Sequence, residues 1–229
     1  MHQDKIWDYY QNEGLESGGF SDARQRFMLR YLDSGSSVLN IGVGSGALER
    51  LALSKQINIY SLDPSSSAIT QLQEKLGFGE RAKTGYAQDI PFDDKKFDAV
   101  VMSEVLEHLE DENLDNALRE VIRVLKPGGL LVLSTPFNET LESQNVVCPE
   151  CGKVFHKWGH VQSFDMERMN SLLFKHGFIT NRIFITTFVD WHRKGMMNLV
   201  KSIVRIMLAK LRQSVADPHL IAITKKKTS

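Results

Sequence analysis

Short apolar runs alternate with amphipathic segments along most of the chain. The runs SSVLNIG, NIYSLD, KFDAVVMS and LLVLSTP are apolar at consecutive positions, which is typical of strands covered on both faces. Between them, segments such as LERLALS and NLDNALREVIRVL carry apolar residues at helical spacing. Strands that alternate with helices predict an α/β fold, with a mostly parallel sheet and helices on both faces.

The pattern changes after residue 136. Both cysteines fall at about 136–163, where no clear periodicity exists, and we predict an irregular insertion there. A basic amphipathic helix is predicted at about 192–213. One interpretation is that its apolar face packs on its own domain or on a second subunit. The other is that it forms an interfacial helix or a lid. No linker divides the chain, so we predict a single domain over residues 1–229.

Composition narrows the class of protein. Hydrophobic residues make up 42% of the chain and charged residues 24%, and 28 Lys and Arg balance 28 Asp and Glu. This balance gives no global sign of nucleic-acid binding. The N-terminal segment is polar, and no apolar run has the length of a membrane span. We therefore expect a cytoplasmic protein, in which the basic helix is a candidate for peripheral contact with a membrane surface.

A glycine-rich loop lies between the first predicted strand and the first helix. Gly42, Gly44 and Gly46 would permit a tight turn and the close approach of a ligand to the backbone. Asp63 ends the second strand about 20 residues after Gly42, the spacing at which dinucleotide-binding folds hold ribose hydroxyls. A plain strand-to-helix turn and an NAD site are the alternatives. Asp89 follows the third strand, where its carboxylate could accept from an adenine amine.

Four segments carry a family resemblance: VLNIGVGSG, YSLDPS, AQDIPFDDKKFDAVVMSEVLEHL and VLKPGGLLVLSTP. In this order they resemble the class I S-adenosylmethionine-dependent methyltransferases. The resemblance implies a Rossmann-like sheet of seven strands with the last one antiparallel, and S-adenosylmethionine as cofactor. The family often has an acid where this chain has Asn40, although Asn can still accept a hydrogen bond. The implied cofactor-binding residues are Asn40, Gly42, Gly44, Gly46, Asp63, Pro64, Asp89, Ile90 and Ser103.

An acidic segment with one histidine, SEVLEHLED, follows the fourth predicted strand, at the edge where parallel sheets bind ligands. On a helical turn, Glu104 shares a face with both Glu107 and His108, which predicts a metal site or a general base. A helix cap or a backbone contact to the cofactor is the alternative. The segment resembles that of ubiquinone-pathway O-methyltransferases and small-RNA 2′-O-methyltransferases, and the second resemblance adds His160 as a ligand. The candidate catalytic residues are Glu104 and His108; the candidate metal ligands are Glu104, Glu107, His108 and His160.

Both cysteines lie in the stretch CPECGKVFHKWGH, residues 148–160. Cys148 and Cys151 could present two thiolates to one ion, and histidines that follow at short spacing fit a zinc site. Two free thiols or a redox pair are the competing readings. Since the carboxylate site also requires His160, we assign it there and keep Cys148, Cys151 and His156 as the zinc candidate.

The sequence therefore predicts an S-adenosylmethionine-dependent methyltransferase. We expect O-methylation of a small-molecule, lipid-linked or glycan hydroxyl, assisted by a divalent cation such as magnesium. The alternatives are metal-independent methylation of nitrogen or carbon, and a non-catalytic cofactor-binding protein with a regulatory or interaction role. A nucleic-acid acceptor is not favoured, because the chain has no basic excess outside residues 192–213.

Overall fold

A computed structural model of the chain describes residues 18–188 and 218–228. The strands are β1 (Ser37–Ile41), β2 (Asn58–Asp63), β3 (Ala82–Thr84), β4 (Phe97–Ser103), β5 (Leu125–Pro136), β6 (Asn145–Val147), β7 (Val154–His156), β8 (Phe178–Thr186) and β9 (His219–Lys226). Seven of them form one sheet in the order β3-β2-β1-β4-β5-β9-β8. β9 runs antiparallel to both of its neighbours, β5 and β8, and all the other neighbouring pairs in this sheet are parallel. The predicted Rossmann-like fold is confirmed, with the last strand antiparallel.

Five α-helices are described: α1 (Gly18–Met28), α2 (Ala47–Ser54), α3 (Ser66–Leu76), α4 (Asp111–Val124) and α5 (Met166–Lys175). Local signals set their ends. The Ser65 hydroxyl accepts from an amide in the first turn of α3, and Gly77 ends that helix with a left-handed φ of +64°. The Asp165 side chain caps α5 in the same way.

The core has two parts, one on each face of the sheet. Val38 belongs to one part and Leu39 to the other, as the alternation of side chains along β1 requires. Residues of α4 and α5 pack in the part that contains Leu39, whereas residues of α1, α2 and α3 pack in the other. The helices therefore cover both faces of the sheet, as the continuous apolar runs predicted.

The insertion is more regular than predicted. It contains a 3-10 turn, Leu141–Gln144, followed by a two-stranded hairpin of β6 and β7, with the CPECG segment at its tip. The predicted basic helix at 192–213 lies outside the described residues. None of the helices in the described ranges is long and apolar enough to cross a bilayer.

Candidate active site

A cleft of about 1240 Å³ opens at the edge of the sheet where the parallel strands end. Its lining includes Asp63 and Ser103, which end β2 and β4. His219 reaches the same cleft because β9 is antiparallel, which places its first residue beside the ends of the parallel strands. Ligands of open α/β sheets bind at this edge, so the cleft is the candidate active site.

The first turn of the glycine loop needs glycine for steric reasons. Gly42 has a φ of +87°, and a Cβ atom there would lie 2.8 Å from Val105 Cγ2. Gly42 and Gly44 both line the cleft, so a ligand can approach their backbone closely. Gly46 has a φ of +70° at the N-terminus of α2 and is not among the residues that line the cleft.

Asp63 connects two loops at the floor of the cleft. Its Oδ2 accepts from the Val43 amide at 2.7 Å, and its Oδ1 accepts from the Ser65 amide at 2.8 Å. The side chain is only 1% exposed, yet Asp63 and Pro64 both line the cleft. The carboxylate therefore fixes the glycine loop relative to the start of α3, and its contact with a ribose stays a prediction.

Asn40 lies behind the glycine loop and does not line the cleft, which corrects its expected cofactor contact. Its Nδ2 donates to Glu49 Oε1 at 2.7 Å and to the Gly42 carbonyl at 3.3 Å. The Ser61 hydroxyl donates to the same Glu49 oxygen at 2.8 Å. Burial raises the pKa of Glu49 above its ordinary value. Asn40 thus supports the loop from within the core.

The loop after β3 also differs from the prediction. The cleft is lined there by residues 85–88, whereas Asp89 is exposed outside it. A tight turn, in which the Asp89 amide donates to the Tyr86 carbonyl, separates the two sides. Ile90 is directed into the core, and its amide donates to Glu120 Oε2 at 2.8 Å. Tyr86 and its neighbours replace Asp89 and Ile90 as the candidates for the adenine end of the cofactor.

Glu104 has a left-handed backbone, with a φ of +58°. Its Oε1 accepts from the Ser134 hydroxyl at 2.7 Å, while its Oε2 lies 3.3 Å from His219 Nε2 and 3.8 Å from an Arg24 nitrogen. Burial by itself would raise the pKa of Glu104, but the charges of His219 and Arg24 hold it well below its usual range. The group is therefore an ionised anchor between α1, β5 and β9.

Glu107, His108 and His160 form a compact cluster in which one potential ligand atom from each residue lies within 4.8 Å of the others. Glu104 is not part of this group, which corrects the predicted set of four ligands. The reason is local: Glu104 precedes the 3-10 turn Leu106–His108, and its positive φ breaks the helical geometry on which the prediction depended. The structure does bring His160, more than fifty residues away in sequence, to Glu107 and His108.

Glu107 is the most deeply buried member of the cluster, with 1% of its surface exposed. Neither of its carboxylate oxygens makes a hydrogen bond of ordinary geometry in the described parts of the chain, although the Thr135 hydroxyl is close enough to lower the pKa of Glu107 somewhat. Burial and the neighbouring charge of Glu104 raise the pKa of Glu107 well above its ordinary value. A buried carboxyl without such hydrogen bonds is costly, and a cation held by the cluster would remove that cost.

Hydrogen bonds define which nitrogen of each ring in the cluster holds the proton. His108 Nδ1 lies 3.4 Å from the Gly159 carbonyl, and His160 Nδ1 lies 2.5 Å from Glu139 Oε2. Carbonyl and carboxylate oxygens only accept, so Nδ1 is the donor in both rings, and in a neutral ring Nε2 then keeps the lone pair. Burial lowers the pKa of His108 to about 4, which leaves its ring neutral near pH 7.

Comparison with known proteins agrees with this geometry. A family model described as a methyltransferase domain matches residues 39–133, from β1 to the last part of β5. These residues form a methyltransferase domain. An uncharacterized methyltransferase of Geobacillus sp. (strain WCH70) is 29% identical to it over 124 residues, which are 54% of this chain and 58% of that protein. A ubiquinone/menaquinone biosynthesis C-methyltransferase of Legionella pneumophila is 34% identical over 124 residues, 49% of each chain.

The chain thus spans about half the length of these curated relatives. Its fold is also similar to that of Burkholderia thailandensis 1,6-didemethyltoxoflavin-N1-methyltransferase, solved with bound 1,6-didemethyltoxoflavin and S-adenosylhomocysteine. The TM-score is 0.66 at 13% identity, over 98% of this chain and 87% of that one. At such low identity, the similarity concerns the fold alone.

The two cysteines of the chain lie at the tip of the β6–β7 hairpin as free thiols. Backbone amides of Cys151 and Glu150 lower the pKa of the Cys148 thiol. His156 pairs with Asn145 at the opposite end of the hairpin, and its ring lies beside Glu139 and His160 instead. Within the described residues, Cys148, Cys151 and His156 therefore do not form the predicted zinc group.

Several residues of the cleft escaped the sequence analysis. His219 and Glu139 had usable signals, because one opens the antiparallel strand and the other closely follows the end of β5, both at the ligand-binding edge. Arg24 had none, since it reaches the Ser103 hydroxyl from a helix 79 residues away. The cleft residues missed are Arg24, Tyr86, Glu139 and His219, and the buried Ser134, which donates to Glu104, was missed as well.

Proposed function

We propose that the protein binds S-adenosylmethionine in the cleft and methylates a hydroxyl oxygen of a small-molecule, lipid-linked or glycan acceptor. The cluster of Glu107, His108 and His160 carries this proposal. It sets a buried carboxyl and two imidazoles of defined tautomer beside the cofactor end of the same cleft. When bound, the cofactor supplies an electrophilic methyl group.

The chain's own residues divide the cleft into two parts. Gly42 and Gly44, with Asp63, line the part formed by the ends of β1 and β2 and would hold the cofactor. His108 and His160 line the other part and would hold the acceptor oxygen. Positioning an acceptor beside a reactive group by binding alone is a large source of rate enhancement.

A divalent cation fits the cluster. One carboxylate and two imidazole nitrogens are a ligand set that zinc, manganese and iron accept. Glu107, His108 and His160 would hold the ion, and its chemistry there would be to lower the pKa of an acceptor hydroxyl. The two oxygens of Glu107, neither of which makes a hydrogen bond of ordinary geometry within the described residues, are the structural observation that supports this fit.

Carbon methylation without metal is the second candidate. The relative from Legionella pneumophila, a C-methyltransferase by name, favours it. In that case the ring of His108 or His160 would be the group that accepts a proton. With a pKa of about 4, His108 is a weak base at neutral pH, which makes it less suited to this role.

The test combines cofactor binding with methyl transfer. Calorimetry with S-adenosylmethionine should show binding, and radiolabelled methyl transfer should be followed with a catechol, a simple glycoside and a prenylated phenol, in chelator and after addition of Mn²⁺ or Zn²⁺. We expect activity that depends on metal and is lost in Glu107→Gln. The matched control is Glu112→Gln, an exposed glutamate in the first turn of α4.

Each result has a defined meaning. Absence of cofactor binding at high micromolar concentration rejects the proposed function as a whole. Equal turnover in chelator and in metal rejects the cation. A product whose new methyl group is found on carbon by NMR rejects O-methylation in favour of the second candidate.

A further inference from the structure

A third histidine, His156, lies beside the cluster. His156 Nδ1 accepts from the backbone amides of Trp158 at 3.3 Å and His160 at 3.1 Å. Amides only donate, so Nδ1 of His156 must hold the lone pair and Nε2 must hold the proton. Nε2 lies 3.4 Å from Glu139 Oε1, and its N–H dipole therefore stabilises that carboxylate.

Because its Nε2 holds the proton, His156 is unsuited to bind a metal ion there, although Glu139, His156 and His160 lie close enough to resemble a metal site. Both oxygens of Glu139 are also already in contact with a histidine: one faces His156, and the other accepts from His160 Nδ1 at 2.5 Å. The two imidazole rings stack, with centroids 4.6 Å apart and an interplanar angle of 20°. The three groups thus form a row in which His156 supports Glu139 and Glu139 supports His160.

The backbone fixes this row relative to the cluster. The amides of Val161 and Gln162 both donate to the Glu107 carbonyl, at 2.8 and 3.2 Å. The Gly159 carbonyl, in the same loop, accepts from His108 Nδ1. One loop therefore orients both imidazoles of the cluster and connects them to Glu107.

We infer that Glu139 is a positioning residue, supported by His156, that holds His160 in the Nδ1–H tautomer and so presents the Nε2 lone pair to the cluster of Glu107, His108 and His160. The inference deepens the proposed function and rests on it for the role of that cluster. Histidines that bind metals commonly donate their other ring proton to a carboxylate, and loss of that carboxylate typically reduces metal affinity by about 10–100-fold. Glu139 lines the cleft and its side chain is 16% exposed, so it is largely buried but still in contact with solvent.

The first experiment reads the tautomers directly. Protein labelled with ¹⁵N in its histidine rings, studied metal-free by two-dimensional NMR, should show a proton on Nδ1 of His108 and His160 and on Nε2 of His156. In Glu139→Ala, His160 should shift towards the Nε2–H form, which dominates in free imidazoles. An Nε2–H tautomer of His160 in the wild type would overturn the inference, whatever the activity.

The second experiment measures Co²⁺ and Zn²⁺ affinity by titration. We expect about a 10–100-fold loss in Glu139→Ala and partial recovery in Glu139→Gln, whose amide oxygen can still accept from His160. The control is Glu142→Gln, an exposed acid in the neighbouring 3-10 turn, which should leave both the affinity and the tautomers unchanged. Equal metal affinity in wild type and Glu139→Ala would contradict the positioning role.

The two experiments separate this inference from the proposed function. If the wild type shows the expected tautomers but binds neither ion, the cation of the proposed function fails while the orientation of His160 by Glu139 stands. If metal binds tightly and the His160 tautomer is wrong, the inference fails while the proposed function stands.

Discussion

Asn40 occupies a position at which the family that this chain resembles often has an acid. A carboxyl group lies beside Asn40 nevertheless, and it belongs to a neighbouring helix. Glu49, on α2, accepts from Asn40 and Ser61 beneath the glycine loop. Its other oxygen is buried without a hydrogen-bond partner in the described residues. Burial raises the pKa of Glu49, so folding favours its protonated form relative to the unfolded chain. The loop is therefore supported from below by a buried, hydrogen-bonded carboxyl group.

This leads to a prediction for Glu49→Gln. A carboxyl whose pKa is raised on folding stabilises the protein below its unfolded pKa of about 4.5, and that stability is lost as the pH rises towards the folded pKa. Gln cannot ionise, so the variant does not lose this stability. The free energy of unfolding of the variant minus that of the wild type should therefore increase with pH, by up to about 1.4 kcal/mol per pH unit. Urea denaturation from about pH 5 to pH 8 measures the difference.

The control for that series is Glu74→Gln, an exposed glutamate on α3. Its difference from the wild type should be independent of pH, because its side chain is exposed to water in both the folded and the unfolded state. If Glu49→Gln and Glu74→Gln give parallel curves, Glu49 is ionised in the folded protein at neutral pH.

Gly42 gives a second prediction at the same scale. In Gly42→Ala the alanine must adopt a strained φ of +87°, and its Cβ atom meets Val105. In Gly77→Ala the alanine must adopt a φ of +64°, but its Cβ atom has no other atom within 4 Å. We expect Gly77→Ala to cost about 1 kcal/mol of stability and Gly42→Ala about 2–4 kcal/mol. Only Gly42→Ala should also weaken cofactor binding, measured by calorimetry. Equal costs for the two variants would show that Val105 moves aside freely.

At the scale of elements, the alternation of strands and helices could be predicted because each parallel strand is buried on both faces. Local geometry within the loops could not. Glu104 was assigned to a helical turn, but its left-handed φ separates its side chain from those of Glu107 and His108. Asp89 was expected in the cleft, but a tight turn directs it outward. Sequence spacing cannot reveal such turns, since a single φ value reverses the direction of a side chain.

The third prediction tests whether Glu107 is a metal ligand and Glu104 is not. Since Glu104 is paired with Arg24 and His219, Glu104→Gln should change Co²⁺ affinity by less than about threefold, a difference of only about 0.65 kcal/mol in binding free energy. Glu107→Gln should lower the affinity by at least about 100-fold, because it removes the only carboxylate of the cluster among the described residues. Thermal unfolding of both variants checks that the fold is intact. Similar losses in the two would restore Glu104 as a ligand.

At the scale of the whole molecule, the cleft is assembled from segments far apart in sequence. Arg24 lies 79 residues from the Ser103 hydroxyl that it contacts, and Glu139 lies 21 residues from His160. The sheet order β1-β4-β5-β9 brings the ends of these segments to one edge. The position of His160 beside Glu107 could be expected from a family resemblance, whereas the supporting row of Glu139 and His156 depends on how the insertion folds back.

Metal affinity should depend on pH through Glu107. Burial and the charge of Glu104 raise the pKa of Glu107 well above its ordinary value, so in the metal-free protein the carboxyl keeps its proton to a higher pH than a free glutamate does. His108 has a pKa of about 4, so its ring is neutral near pH 7. Binding a cation must therefore displace the proton of Glu107. The association constant should rise about tenfold per pH unit until the pH passes the folded pKa of Glu107.

Calorimetric Co²⁺ titrations in buffers of different ionisation enthalpy count the protons released. We expect about one proton per ion for the wild type at about pH 6, and about none for Glu107→Gln, whose residual binding should be nearly independent of pH. Glu104→Gln should release fewer protons than the wild type at the same pH, because it removes the neighbouring charge that helps to raise the pKa of Glu107. No release in the wild type would mean that Glu107 is ionised before the ion binds. Release of more than one proton would mean that a second ligand of the cluster also gives up a proton when the ion binds.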